Sequence, residues 1–430
     1  MFKETSKELL EFLSKSPTAF HAVENYRQIL NADGFKELLE SEHWDIVPGG
    51  KYYVTRNNTS ILAFKVGTKL DNYSFNIVTS HTDSPTFKVK ENAEIEVKNK
   101  YTQLNTEGYG GMLCATWVDR PLSIAGRVLV SEGNSIVTKL LNIDRDLLMI
   151  PNVAIHMNRA ANDGFKYNLQ VDMLPLLSGG DDRQKDFKQI IADELGVKKE
   201  DILGHDLYLY NRMAPSIWGA NEEFISSGHL DDLQCGFASL KALLAGYNDE
   251  SIDIMACFDN EEVGSGTKQG ADSTLLRDTL IRINNALGKT EEDYHRALAS
   301  SFMLSADNAH AVHPNHPEHT DVTNCTYMNE GVVVKSHAGQ KYTSDGVSMA
   351  VVKSLASGAD VPLQYFANRS DKAGGSTLGN IAMAQASMNA VDIGLPQLAM
   401  HSSYETAGIK DTYYAISLMK ALFDSHMQET

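Results

Sequence analysis

The chain of 430 residues is 42% hydrophobic and 22% charged, a composition typical of a globular protein with two or three domains. Its formal net charge of −18 argues against nucleic-acid binding, because contact with a phosphate backbone needs clustered Lys and Arg side chains. Its four cysteines are scattered without paired spacing, which argues against a cysteine-based zinc site and is typical of a reducing compartment.

The amino-terminal region indicates two amphipathic helices. Apolar residues recur at helical spacing within residues 9–13 and again within residues 20–26, and Pro17 separates the two patterns. The first residues are charged and do not resemble a signal peptide, and no apolar run approaches the ~20 residues that span a bilayer. We therefore expect a cytoplasmic protein that has no membrane partner.

The sequence that follows carries the signals of β-strands. Residues 52–66 and 74–80 are predicted to be strands, and the second ends directly at His81. Residues 95–172 are rich in β-branched residues and turn glycines, a pattern that favours a mostly β insertion.

From about residue 220, helical and strand patterns alternate. These elements are a helix after Asp231, a strand at Ser251–Phe258 and a helix at Leu275–Leu287. Such alternation favours an α/β fold with a mixed sheet and helices on both faces. The sequence therefore predicts one α/β domain, formed by residues 1–92 and 219–430, and a β-rich domain inserted at residues 93–218.

Five short segments concentrate His, Asp and Glu side chains, and four of them adjoin apolar, strand-like runs. In an open α/β sheet, ligand sites form beyond the carboxyl ends of strands, so we expect these segments to meet in one crevice. Nitrogen and oxygen donors without thiolates suit a catalytic zinc site. Each segment alone is more often a cap, a turn or a solvated pair, so the prediction depends on the whole set. The segments are residues 80–85, 229–232, 259–264, 305–310 and 399–402.

Five segments, three of which overlap those above, carry a resemblance to a known family. The sequence resembles the aspartyl aminopeptidases and vacuolar aminopeptidase I, which are dinuclear zinc exopeptidases. The resemblance runs nearly from end to end and implies a zinc exopeptidase domain of mixed-sheet α/β fold with an inserted β-rich dimerisation domain. The matching segments are Ser16–Val23, Ile150–His156, Asp259–Ser265, Ser305–Asn315 and Pro396–Ser402.

The resemblance implies two zinc ions per subunit, for which cobalt or manganese can substitute, and a water activated between them. Glu261 matches the general base that takes the proton of this water, and Asp83 matches a supporting carboxylate that orients a ligand histidine. The substrates would be peptides that lose their amino-terminal residue. The implied ligands are Asp231 as the bridge, His81 and Asp307 at one ion, and Glu262 and His401 at the other.

The matching segment that ends at His156 implies contact between subunits. In the family this histidine reaches the active site of a neighbouring subunit and helps hold the oxyanion, and the subunits form dimers that assemble into a dodecamer. The alternative is a buried histidine in a strand at residues 152–158. We expect the trans role and a homo-oligomer.

Three further residues are candidates for substrate binding. His310 and His313 follow Asp307 closely and either line the substrate pocket or support its structure. Lys335 matches a family position that contacts acidic substrate side chains, although a lysine that ends an apolar strand is more often solvated. These residues suggest a preference for Asp or Glu at the amino end of the substrate.

The chain also departs from the family pattern. His229 stands where the family commonly has Arg, Tyr404 replaces an arginine after the last metal histidine, and Cys114 replaces an aromatic residue. Two other functions compete with an aminopeptidase: a carboxypeptidase or deacylase with a dinuclear zinc site, and a catalytically silent scaffold. Glu261 and the complete ligand set argue against the silent scaffold.

Overall fold

Helices and strands follow one another along the chain in the computed structural model, which describes residues 1–180 and 186–426. The helices are α1 (Phe2–Ser14), α2 (Ala19–Ala32), α3 (Phe187–Leu195), α4 (Leu230–Ala245), α5 (Leu275–Ala286), α6 (Glu291–Ala299), α7 (Gly346–Gly358), α8 (Leu378–Gln385) and α9 (Asp411–Phe423). The strands are β1 (Lys36–Glu37), β2 (Lys51–Arg56), β3 (Ser60–Val66), β4 (Ser74–His81), β5 (Thr86–Val97), β6 (Tyr101–Tyr109), β7 (Leu122–Glu132), β8 (Ser135–Asn142), β9 (Leu176–Gly179), β10 (Ile202–Asn211), β11 (Ser216–Trp218), β12 (Phe224–Ser227), β13 (Ser251–Phe258), β14 (Phe302–Ala306), β15 (Ala309–His310), β16 (Val332–Lys335), β17 (Leu363–Phe366), β18 (Asn389–Gly394), β19 (Pro396–Leu398) and β20 (Glu405–Gly408).

A nine-stranded mixed sheet forms the centre of the larger unit, in the order β1-β2-β3-β13-β4-β14-β18-β16-β17. Its strands β13, β4, β14 and β18 are parallel neighbours, so their carboxyl ends lie at one edge of the sheet. Side chains alternate between two hydrophobic cores: Met255 and Cys257 of β13 face one, and Ile254 and Ala256 face the other.

Helices cover both faces of this sheet. Helices α1, α2, α4, α7 and α9 contribute apolar side chains to one core, and α5, α6 and α8 contribute to the other. Strands β4 and β13 are buried over their whole length, and polar side chains within them, such as Asn76 and Asp253, hydrogen-bond to each other. The predicted mixed α/β fold is confirmed.

A second, six-stranded sheet lies between Thr86 and Asn211, with the order β8-β7-β10-β5-β6-β9 and antiparallel pairing throughout. It packs against α3 around a separate core. The predicted domain boundary between residues 92 and 93 falls inside β5, whose partners β6 and β10 belong to this sheet, so the second sheet begins at Thr86. The helix α3 has no counterpart among the sequence predictions.

A third sheet of five short strands, in the order β11-β12-β20-β19-β15, adjoins the carboxyl-terminal part of the chain. Strands β19 and β20 pair antiparallel and are joined by the segment that contains His401. The backbone of His401 is left-handed, with a φ of 66°. This sheet was not anticipated from the sequence.

Two sequence predictions differ from the structure. Residues 52–66 form a hairpin rather than one strand, because Asn57 and Asn58 both take positive φ angles and make a tight turn. The alternative of a buried His156 in a strand is wrong, since residues 151–175 form turns and irregular segments and His156 is exposed. Among the described residues, no helix is both long enough and apolar enough to cross a membrane.

Candidate metal centre

Five of the predicted site residues come together beyond the central sheet, in two groups that share Asp231. Within each group the candidate ligand atoms all lie within 4.8 Å of one another. The shared residue is the one that the family resemblance assigns as a bridge. The first group is His81, Asp231 and Asp307, and the second is Asp231, Glu262 and His401.

The parallel strands explain this convergence. His81 is the last residue of β4, and Asp307 follows β14 directly. On the other side of β4, strand β13 ends shortly before a 3-10 turn at Glu261–Val263, which carries Glu262. Three neighbouring strands therefore deliver a histidine and two carboxylates to one edge of the sheet, while Asp231 lies in the first turn of α4.

The carboxylate of Asp231 lies between two imidazoles. Its Oδ1 is 3.5 Å from Nε2 of His81, and its Oδ2 is 3.4 Å from Nε2 of His401. Burial alone would raise the pKa of Asp231, but the two histidines outweigh it and hold this pKa below the ordinary range. Each oxygen of one carboxylate therefore faces a different candidate ligand, which is the arrangement that a bridging ligand requires.

The buried carboxylate oxygens of the five candidate ligands fit divalent cations. Within residues 1–180 and 186–426, Oδ1 of Asp231 and Oε1 of Glu262 are buried without a hydrogen-bond partner. Burial, together with the neighbouring carboxylates, raises the pKa of Glu262 and of Asp307, so the crowded acids are costly to ionise without a cation. The donor set of two imidazoles and three carboxylates suits zinc in a catalytic site.

Carbonyl oxygens orient both histidines of the centre. Nδ1 of His81 lies 3.0 Å from the backbone oxygen of Asp83, whereas the Asp83 carboxylate is 3.4 Å away. Nδ1 of His401 lies 3.0 Å from the backbone oxygen of Gly111. In both rings Nε2 is thus left to face the centre. The predicted acceptor for His81 was the Asp83 carboxylate, and the closer acceptor is the carbonyl of the same residue.

The Asp83 carboxylate positions the glutamate pair instead. Its two oxygens accept the backbone N–H groups of Glu261 and Glu262, both at 3.1 Å. It also accepts a 2.7 Å hydrogen bond from the hydroxyl of Tyr109 at the end of β6. Asp83 therefore links the second sheet to the turn that carries both glutamates.

Glu405 supports the centre and was not predicted from the sequence. It is buried at the start of β20, and its carboxylate accepts the backbone N–H groups of Asp231 at 3.1 Å and His401 at 2.9 Å. Burial, with the nearby Asp231 carboxylate, raises the pKa of Glu405 to about 8. The one available sequence signal was an acidic residue in a short apolar segment four residues after His401.

Glu261 is placed differently from the five candidate ligands. It is half-buried, and its carboxylate makes no hydrogen bond to the residues that the structure describes. Burial, which the His81 imidazole opposes only in part, raises the pKa of Glu261 to about 7. A carboxylate with this pKa can both accept and release a proton near neutral pH.

The remaining predicted residues lie outside the two ligand groups. Lys335 is buried, and its ammonium donates to the backbone oxygen of Asn308 at 2.9 Å and lies 3.9 Å from Oδ2 of Asp307. His310 is exposed at the end of β15, with its ring edge toward Phe366. His313 lies in the following loop, and His156 lies in the largely exposed segment 151–172.

A cavity of ≈ 470 Å³ lies between the central and the second sheet, and Asp83 forms part of its wall. Tyr109, Tyr208 and Arg127 line it, together with His229, one of the residues that departs from the family pattern. The backbone of His229 is left-handed, and burial lowers the pKa of its ring to about 4. A neutral histidine thus stands at this wall of the cavity.

The chain is similar to proteins of a known family. A family model described as "Aminopeptidase I zinc metalloprotease (M18)" matches residues 12–423. A "Probable M18 family aminopeptidase 2" from Clostridium novyi is 48% identical over 425 residues, which cover 97% of this chain and 98% of that relative.

Two solved structures also resemble this chain. A chain from the "Cryo-EM structure of the Ape4 and Nbr1 complex" is 35% identical, has a TM-score of 0.95, and the match covers 98% of this chain and 86% of that one. A chain of the S. cerevisiae mApe1 dodecamer is 28% identical with a TM-score of 0.85, over 98% of this chain and 97% of that one. The family resemblance predicted from the sequence is confirmed.

Proposed function

Since this chain belongs to the aminopeptidase I family of zinc metalloproteases (M18), we propose that it is a dinuclear zinc aminopeptidase. It removes single residues from the amino ends of peptides, and Glu261 acts as its general base. The observation that supports two ions is the position of Asp231, whose two oxygens face His81 and His401 from opposite sides.

The proposed ligands are those of the two groups that share Asp231. When bound, two zinc ions at this centre supply Lewis-acid chemistry, which lowers the pKa of a shared water and polarises the scissile carbonyl. The chain itself moves the proton: Glu261, with a pKa of about 7, takes it from the water and gives it to the leaving amine. Asp83 holds the backbone of Glu261 in place during both transfers.

The acidic surroundings of the centre favour an exopeptidase. A free α-amine is cationic and is attracted to a crevice lined by several carboxylates, whereas an internal peptide bond offers no such charge. The proposed preference for Asp or Glu at the amino end would depend on His310 and His313 and on the positive charge of Lys335. Lys335 is only 4% exposed and already contacts Asp307, so we propose that it acts on the substrate through its field.

The largely exposed segment at residues 151–172 supports the proposal of a homo-oligomer. Its side chains Val153, Met157 and Val171 are 53%, 85% and 71% exposed, an unusual cluster for a surface that faces only water. We propose that a second copy of the chain covers this segment and that His156 acts there on the neighbouring active site. The S. cerevisiae relative is described as a dodecamer, and we propose the same assembly, built from dimers, in the cytoplasm.

The deciding experiment combines metal analysis with a substrate panel. We expect two zinc ions per chain, loss of activity on chelation, and recovery with zinc, cobalt or manganese. Aspartyl, glutamyl, leucyl and lysyl arylamides would be compared with N-acyl amino acids, which a deacylase would prefer. Fewer than two bound ions, with activity unchanged by chelation, would contradict the dinuclear proposal. Equal or faster cleavage of leucyl or lysyl substrates would contradict only the acidic preference.

A further inference from the structure

A third group of side chains, which does not include Asp231, has the donor atoms of a metal site. His316, Glu318 and His319 lie at the 3-10 turn Pro317–His319, and their candidate donor atoms all lie within 4.8 Å of one another. All three side chains are exposed, and none belongs to the two groups of the candidate metal centre. We propose that these three residues form an additional site for a divalent transition metal such as zinc.

The separations of these atoms are close to those of coordinated ligands. Nδ1 of His316 donates a hydrogen bond to Oε1 of Glu318 at 3.0 Å, so an ion bound by both atoms would take the place of this proton, and the ring of His316 stacks on that of His319 with centroids 5.4 Å apart. A tetrahedral ion with bonds of about 2.1 Å holds its donor atoms roughly 3.4 Å apart. Rotations of exposed side chains are sufficient to close the remaining difference.

The turn fixes the backbone of the three residues before any ion binds. Pro317 occupies the first turn and fixes its own φ angle, and its carbonyl accepts a 2.7 Å hydrogen bond from Oγ1 of Thr320. The guanidinium of Arg369 donates to the backbone oxygen of Glu318. The backbone under the three ligands is thus fixed from two sides, which lowers the entropic cost of ordering them around an ion.

The donor types select the kind of ion. Two imidazoles and one carboxylate are the protein ligands of several catalytic zinc sites, in which water takes the fourth position. Imidazole also suits nickel and copper, whereas calcium and magnesium prefer sites made of oxygen alone. An ion at this turn would therefore be a borderline transition metal that keeps at least one water.

A hydrogen bond excludes the nearby His313 as a fourth protein ligand of this site. The ring of His313 lies 5.4 Å from that of His316, but its Nδ1 accepts the backbone N–H of Asn315 at 3.2 Å. In a neutral imidazole the other nitrogen then carries the proton and has no lone pair to offer. The site therefore consists of three protein ligands.

The test uses full-length protein that already carries the metals of the Asp231 centre. This protein, its His316→Ala/His319→Ala double variant and a His295→Ala control would be dialysed and titrated with Zn²⁺ and with Ni²⁺, using calorimetry and elemental analysis. His295 is a matched control, because it is also exposed and lies 3.8 Å from a glutamate, Glu291, but has no second histidine in its group.

We expect the original protein and the His295→Ala control to bind one more ion per chain than the double variant. Glu318→Gln should weaken this binding without affecting the ions of the Asp231 centre. Equal uptake by the original protein and the double variant would overturn the proposal, however many ions the Asp231 centre holds. Circular dichroism would verify that the double variant is folded, as expected for two exposed side chains.

Discussion

The hydroxyl of Tyr109, at the end of β6, donates a 2.7 Å hydrogen bond to Oδ2 of Asp83, just beyond the end of β4. The same hydroxyl accepts a 2.8 Å hydrogen bond from Nδ2 of Asn260, next to the glutamate pair. The second sheet is therefore joined directly to the loops that hold Glu261 and Glu262. A side chain that belongs to neither ligand group can in this way affect the position of Glu261.

We expect Tyr109→Phe to lower kcat/KM by about tenfold and to leave metal content and fold intact. A hydrogen bond to a charged group contributes about 1.5–3 kcal/mol, and part of this loss would appear as displacement of Asp83 and Glu261. Tyr208→Phe is the matched control, because Tyr208 packs edge-on against Tyr109 in the same sheet. Equal effects of the two substitutions on kcat/KM would contradict the special role of Tyr109.

Glu261→Gln and Glu262→Gln should have different effects although the residues are adjacent. Glu261→Gln should retain both metals and reduce turnover by roughly 10²–10⁴-fold, the usual contribution of a general base. Glu262→Gln should weaken one metal site, because Oε2 of Glu262 lies 3.4 Å from Nε2 of His401 within the second ligand group. Turnover and metal content measured on both variants would check this division, and identical behaviour would contradict it.

Asp253 makes stability depend on pH at a distance from the metal centre. Burial raises the pKa of this carboxyl to about 7, and within residues 1–180 and 186–426 only its Oδ1 accepts hydrogen bonds, from Ser251 and Asn76. Its unfolded pKa is about 3.9, so the folded state holds the extra proton between about pH 4 and 7. The free energy of unfolding therefore falls as pH rises through this window.

Asp253→Asn should remove that dependence, so its Tm relative to the unchanged protein should be higher at pH 8 than at pH 5. Asp249→Asn should change the pH dependence of the free energy of unfolding in the opposite direction. Hydrogen bonds from Thr68, Tyr247 and Lys69 lower the pKa of Asp249 to about 2, so its contribution to stability is present above about pH 4 and is lost as pH falls. A Tm difference for Asp253→Asn that does not change between pH 5 and 8 would contradict the prediction.

His156→Ala should reduce turnover by about a hundredfold or more, the usual effect of losing a hydrogen-bond donor to the oxyanion, while metal content and assembly remain. Because His156 is proposed to act across subunits, mixing His156→Ala with Glu261→Gln subunits should restore activity. Some mixed pairs then contain one complete active site. Mixed oligomers without recovered activity would show that His156 does not act in trans.

The convergence of the segments rich in His, Asp and Glu could be expected from the sequence because several of them adjoin strand-like runs, whereas the individual ligands were assigned from the family resemblance. His81 ends β4 and Asp307 follows β14, and the neighbouring parallel strands bring them together. The helix at Leu275–Ala286 and the strand Ser251–Phe258 were also predicted within one residue at each end. Strong periodicity and strand-end chemistry are local signals, so a single sequence carries them.

The contacts of the site that were not predicted from the sequence depend on backbone atoms. Gly111 orients His401 through its carbonyl, and Glu405 binds the N–H groups of Asp231 and His401. Backbone groups are the same in every residue, so no residue type marks such contacts in a sequence. The hairpin at Asn57 and Asn58 was missed for another reason, since both flanking strands carry strand-forming residues and only the three residues 57–59 separate them.

The ligands of the candidate metal centre are spread along the chain from His81 in β4 to His401, which follows β19. A chain still emerging from the ribosome cannot assemble the second ligand group until His401 has been synthesised, nor pack α4 until α9 follows. The second ligand group is therefore completed later in synthesis than the first, whose last residue is Asp307.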